Sequence, residues 1–172
     1  MTVTLYMLVA LLIGLGGSAQ ISMIGALGRD HGPTEAAWVS ILGSVAGVAF
    51  VLAVRAASGD APLLPSPLDR ATVLALLGAL TAALLFFSLR GVEPYYAIIG
   101  VFGVTFIVGA AFLVPEIGIA RFFGAVTAGT LMGALVLDHI GAFGAEPDHV
   151  TAFRIGGMAL LLLGVVLVRA GR

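Results

Sequence analysis

The chain has 172 residues, 60% of them hydrophobic and only 10% charged, with a mean hydropathy of +1.17. Soluble domains carry about 25% charged residues, so a water-facing surface of ordinary extent is excluded, and the surrounding medium must be a bilayer. A net charge of −1 with no basic block argues against nucleic acid as a partner, and the lack of cysteine removes disulfides and thiolate metal sites.

The first twenty residues have the length of a signal peptide and end in Gly17-Ser18-Ala19-Gln20, but no positive residue precedes Arg29. The segment is therefore expected to stay as a first spanning helix, from about Val3 to Leu27, followed by a charged turn through Arg29, Asp30, His31, Gly32 and Pro33. A span needs roughly 20 apolar residues. Five further candidates follow, near Glu35–Val54, Ala71–Leu89, Tyr96–Val114, Ile117–Ile140 and Thr151–Val168. Backbone polar groups have no water to bond in lipid, so all six are expected to be helices. The punctuation agrees with this division. Pro33 with Glu35 marks a helix start, the prolines of Ser58–Pro67 bar a continuous helix, and Glu93-Pro94, Pro115 and Glu146-Pro147 fall between spans. The third candidate is short and followed closely by Arg90 and Glu93, so it reads as a full span or a half-inserted helix. The expected fold is all-α, a polytopic transmembrane bundle of about six hydrophobic spans forming one integral-membrane domain over residues 1–172.

If all six cross, both termini share a side. Arg55, Arg70, Arg121, Arg169 and Arg172 then lie with the termini, and Arg29, Arg90 and Arg154 lie opposite. The positive-inside rule places the termini in the cytoplasm, by a narrow margin that also suits dual insertion.

Function is then sought among the polar groups inside the spans. Gln20 is a neutral carboxamide deep in the first span; it both donates and accepts, and it suits either a polar solute or an interhelical hydrogen bond. Ser40 and Thr130, like Ser22, Thr105 and Thr127, can bond a carbonyl one turn back in their own helix. Gly43-Ser-Val-Ala-Gly47 and Gly129-Thr-Leu-Met-Gly133 are GxxxG patterns, read as internal packing or as a dimer face. Gly14, Gly16 and Gly17 leave a groove or a movable zone in the first span. Asp138-His139, closing the fifth span, is a proton or cation site or a marker of the water boundary. Glu116 and Arg121 are expected to form a local interfacial ion pair. Tyr95, Tyr96 and Trp38 suit an aromatic interfacial belt. There is no GxSxG, HExxH or Walker lysine, and all eight basic residues are arginine, so no enzyme, metal or cofactor is expected.

Four places along the chain together resemble the YdcZ family of small bacterial membrane proteins, within the drug/metabolite transporter superfamily that also holds the small multidrug resistance proteins. These are Gln20 with Leu27-Gly28-Arg29 and Gly32; Ala36-Ala37 with Ser40 and Gly43; Pro94-Tyr95-Tyr96 leading to Gly100 and Gly103; and Val114-Pro115 with Gly118, Gly129, Asp138-His139-Ile140-Gly141 and the final Gly-rich span. The chain departs from the family pattern at Ile24, where an asparagine is usual, and at Thr130, where a glutamine follows the glycine. With five spans usual in the family, Ala71–Leu89 stands out as an addition. The embedded first-span glutamate of the small multidrug resistance proteins is missing, so their proton-coupled mechanism does not carry over.

The resemblance implies a bacterial inner-membrane transporter for a small polar or amphipathic solute. It also implies a half-sized unit that needs a second copy or a paralogous subunit to complete a pathway, with membrane lipid as its other partner. Gln20, Ser40, Tyr96 and Thr130 are the expected pathway residues. The alternative is a non-transporting scaffold or accessory subunit.

Overall fold

A computed structural model describes residues 2–60 and 62–170, with side chains through residue 167. It is 84% helical, with no strand among the described residues. The helices are α1 (Thr2–His31), α2 (Pro33–Ala57), α3 (Ala71–Ser88), α4 (Ile99–Ile117), α5 (Ile119–Ile140) and α6 (Ala152–Ala170); short 3-10 turns precede α4 (Pro94–Ile98) and follow α5 (Ala142–Gly144). Among the described residues five segments are long and apolar enough to cross a membrane: α1, α2, α3, Pro94–Ile117 and α5. The described apolar part of α6, Ala152–Leu167, is shorter.

Two boundaries differ from the sequence expectation, each for a local reason. The charged Arg29-Asp30-His31 stretch is the last turn of α1, and only Gly32 leaves helical geometry before α2 begins at Pro33. Gly32 has φ 107°, which an L side chain rarely adopts, and Pro33 needs no amide donor in a first turn. Pro115, expected as a separator, lies inside α4, which continues to Ile117. The break falls at Gly118, with φ 83°, whose N–H donates to the Val114 carbonyl at 2.9 Å. Within one turn of the helix end a proline forfeits only one hydrogen bond, whereas the reversal itself requires positive φ. Glu116 and Arg121 flank this reversal and form no ion pair among the described residues.

The chain divides into two compact units, with boundaries inside α1 and α4. Unit 1 comprises Met1–Ala26 and Thr105–Arg172. Its buried core joins Ala10 and Ile13 of α1, Leu113 and Ile117 of α4, and Phe122, Ala125 and Val126 of α5. Phe122 is fully buried, 6.0 Å from the Phe106 ring. Within this unit α1 and α5 pack in parallel, since Leu11 meets Gly129 and Ser18 meets Gly133. Parallel helices one and five require an odd number of crossings between them. With α2, α3 and Pro94–Ile117 all long and apolar enough to span, three crossings between α1 and α5 match this parallel packing; a half-inserted α3 would match antiparallel packing.

Unit 2 is Leu27–Val104. Here α2 packs on α3, and the buried positions of α2 are mostly small, Ala36, Ala46, Ala49 and Ala53 among them. Gly78 of α3 is covered by the Phe50 ring, which lies 3.3 Å from where a Cβ would stand. In lipid the tails are as apolar as the side chains, so close packing rather than removal from water holds such helices together. Many other large apolar side chains, such as Leu12, Phe86 and Phe153, are exposed, as lipid-facing positions of a spanning helix can be.

Candidate functional site

Three clusters of polar groups in and beside the spans include most of the candidate residues. The first is the α1–α5 seam of unit 1. A Cβ on Gly14 would strike the Val126 carbonyl, and one on Gly129 would strike that of Leu11. One on Gly133 would meet the Ser18 hydroxyl oxygen. The backbones are therefore as close as side-chain-free positions allow. The Thr130 hydroxyl lies within hydrogen-bond distance of two carbonyls, Gly14 O across the seam at 3.1 Å and Val126 O in its own helix at 3.0 Å. The buried Ser18 hydroxyl donates to Leu15 O at 2.7 Å. Gly14 and Gly129 thus clamp two helices together, and Gly14 is no open groove.

Gln20 stands above this seam in α1, half-buried. It lies 11 residues before the helix end at His31, or roughly 16 Å at 1.5 Å per residue. It is the only side-chain carboxamide in the chain, which contains no asparagine. Among the described residues none hydrogen-bonds it, whereas Thr130 is already engaged with carbonyls. The seam therefore leaves Gln20 available and does not make Thr130 its partner.

The second cluster, in unit 2, is where α2 meets the start of α4. Gly43 approaches Gly100 so closely that its Cβ would lie 3.1 Å from Gly100 Cα, and a Cβ on Gly47 would touch Val104 at 3.3 Å. The Ser44 hydroxyl reaches both Ser40 O, at 2.9 Å, and Gly100 O, at 3.3 Å. Ser40 is half-buried in the same helix. Tyr96 is buried at the entry to α4, with its ring 4.5 Å from that of Tyr95. Ser40 and Tyr96 are thus both placed in unit 2, while Gln20 and Thr130 belong to unit 1. Ser18 and Ser44 are structural contacts the sequence reading passed over. The signal was present, since Gly14 and Ser18 form a small-xxx-small pair and Ser44 lies inside the first GxxxG.

The third cluster laces α5 to α6 within unit 1. Arg154 bonds the Asp138 carboxylate at 2.7 Å and that of Asp148 at 2.9 Å. His139 Nδ1 accepts from the Val150 N–H at 3.3 Å, and its ring lies 5.2 Å from that of His149. The Asp148 N–H donates to the Asp138 carbonyl at 2.9 Å. Asp138 and His139 are both engaged in closing this connection. Among the described residues no group of three potential metal ligands occurs.

Comparison with curated proteins and with solved structures gave no match. The family model described as "Putative inner membrane exporter, YdcZ" matches residues 71–167. The match begins at the first residue of α3 and covers α4 and α5, so the third span lies inside the family-like region and is not an addition to it. The Tyr95-Tyr96 and Asp138-His139 features lie within the match; Gln20 and Ser40 lie before it. Matched over more than half its length and built as a run of apolar spanning helices, the chain belongs to the YdcZ family of the drug/metabolite transporter class, as a multi-pass membrane transporter of the inner membrane.

Proposed function

We propose that this protein exports a small polar or amphipathic solute and works as a homodimer, with Gln20 in the solute path. The direction is taken from the family description. The observation that carries the pathway reading is Gln20 itself, a half-buried carboxamide deep in a 30-residue span that no described residue hydrogen-bonds. In a bilayer such a group is costly unless it meets a polar partner, and a transiently bound solute supplies one. The clamped α1–α5 seam moves as one rigid pair while other helices rearrange around it, as alternating access requires.

The test has two stages. A stabilisation screen of the purified protein identifies a ligand, because binding to the folded state raises apparent stability by mass action. Flux of that ligand is then measured in proteoliposomes for wild type and Gln20→Ala. Loss of one solute hydrogen bond, about 1 kcal/mol, predicts a roughly fivefold drop in flux at limiting solute. Full-speed transport by Gln20→Ala removes that residue from the path. Absence of flux together with co-purification of one stoichiometric membrane partner would instead make the chain an accessory subunit.

A further inference from the structure

One arginine in unit 2 is placed unlike the others. Arg90 follows α3 directly, in the turn before the 3-10 segment, and lies at the edge of a cavity of about 350 Å³. The rest of that lining is apolar and includes Ala82, Leu85, Phe86, Leu89 and Ala97. The guanidinium sits over the Phe87 ring, 4.4 Å from its centroid, and 6.0 Å from that of Phe86. Stacking on aromatic faces leaves the planar donors of an arginine free in the ring plane. Arg55 and Arg154 are paired to carboxylates, but Arg90 makes no ion pair among the described residues, with Glu93 or any other acid.

Depth is marked independently. Two residues before Arg90, Ser88 accepts a hydrogen bond at 3.1 Å from the Trp38 indole N–H, and Trp38 is half exposed. A tryptophan with an apolar body and a bonded N–H belongs at headgroup level. The cavity, reaching back along α3 to Ala82, therefore lies on the hydrocarbon side of that level. An apolar slot with a cation at its headgroup-level mouth is complementary to a molecule with an alkyl chain and an anionic head. A free phosphate would leave the slot unfilled, and a neutral alkyl chain would leave the guanidinium unmatched.

We propose that this crevice is a binding site for an anionic membrane phospholipid, with one acyl chain in the cavity and the phosphate on the Arg90 guanidinium. The site is separate from Gln20 and stands whether or not Gln20 lies on a solute path.

The test is native mass spectrometry of the detergent-purified full chain with added phosphatidylglycerol, comparing wild type, Arg90→Gln, Ala82→Phe and Arg70→Gln. Arg90→Gln removes the charge and Ala82→Phe fills the slot with Arg90 intact. Arg70→Gln removes an arginine at the other end of α3. Retained helicity by circular dichroism establishes that each variant is folded. One lipid should remain on wild type and on Arg70→Gln, with affinity about fivefold lower for Arg90→Gln, the worth of one arginine near an anionic headgroup. Ala82→Phe should also lose the lipid. Diacylglycerol, which lacks the phosphate, and glycerol 3-phosphate, which lacks the chains, should each bind markedly less. Equal retention by Arg90→Gln or by Ala82→Phe overturns the proposal. So does glycerol 3-phosphate binding as well as the lipid, which would mean a simple anion site, or diacylglycerol doing so, which would mean an unspecific apolar groove.

Discussion

Replacing Gly129 with alanine is the sharpest test of how α1 and α5 are held together. The added methyl would fall on the Leu11 carbonyl and 3.1 Å from the Leu15 nitrogen, both backbone atoms of α1. A carbon normally keeps at least ~3.3 Å from a carbonyl oxygen, and no rotamer change moves a backbone carbonyl, so the helices must separate. Separation also breaks the contact between the Thr130 hydroxyl and Gly14 O, now 3.1 Å. Forced overpacking costs about 1–3 kcal/mol, and an interhelical hydrogen bond in a membrane averages about 0.6 kcal/mol. The expected loss is therefore about 2–4 kcal/mol. It is read as a shift in the midpoint of unfolding by an anionic detergent in mixed micelles, followed by circular dichroism. Thr130→Val should cost less in the Gly129→Ala background than in wild type, because the bond is already broken there. Gly25→Ala on α1 is the control: no atom lies within 4 Å of its Cβ position, so it should cost nothing and gain up to about 1 kcal/mol of helix propensity. A Gly129→Ala midpoint within about 0.5 kcal/mol of wild type, or an equal cost at Gly25, would refute the close-contact argument.

Other substitutions separate space from backbone conformation and from charge. Gly118→Ala has open space around its Cβ but a φ of 83°; the left-handed backbone alone should cost about 1–2 kcal/mol in the same unfolding assay, and a neutral result would mean that the α4–α5 reversal can be made in another way. Arg154→Gln removes the ion pair to Asp138 of α5 and the one to Asp148 in the α5–α6 connection, whose partners are more than a third exposed; the loss should be at most about 1 kcal/mol and should shrink as salt is raised. A salt-independent loss would point to hydrogen bonding to the Asp148 carbonyl as the main contribution.

Membrane character was legible because apolar runs and proline or glycine punctuation are local properties of the chain. Helix ends were less legible. His31 and Ile117 extend helices past positions where charge or proline suggested a stop, because only Gly32 and Gly118 supply the backbone angles a one-residue reversal needs. The polar residues inside the spans can be listed from the sequence, but their engagement cannot. Thr130 and Asp138 are held by Gly14 O and Arg154, 116 and 16 positions away in sequence, and no local pattern encodes a partner at that separation. Ser18 and Ser44 were passed over for a related reason: a small polar residue shows its role only when the facing helix is known.

The sequence alone determined the solvent, the helical class and the approximate spans, because a bilayer leaves an apolar chain no other way to satisfy its backbone. Tertiary structure decided what the sequence left open. The parallel register of α1 on α5 matches three crossings between them, α3 included, since the direction of a helix counts the crossings before it. Close backbone approach at Gly14 and Gly129 turned an apparent groove into a clamp. Gln20 was left as the carboxamide that the described residues do not engage, because packing on one face of α1 fixes which polar groups are used up and which are not.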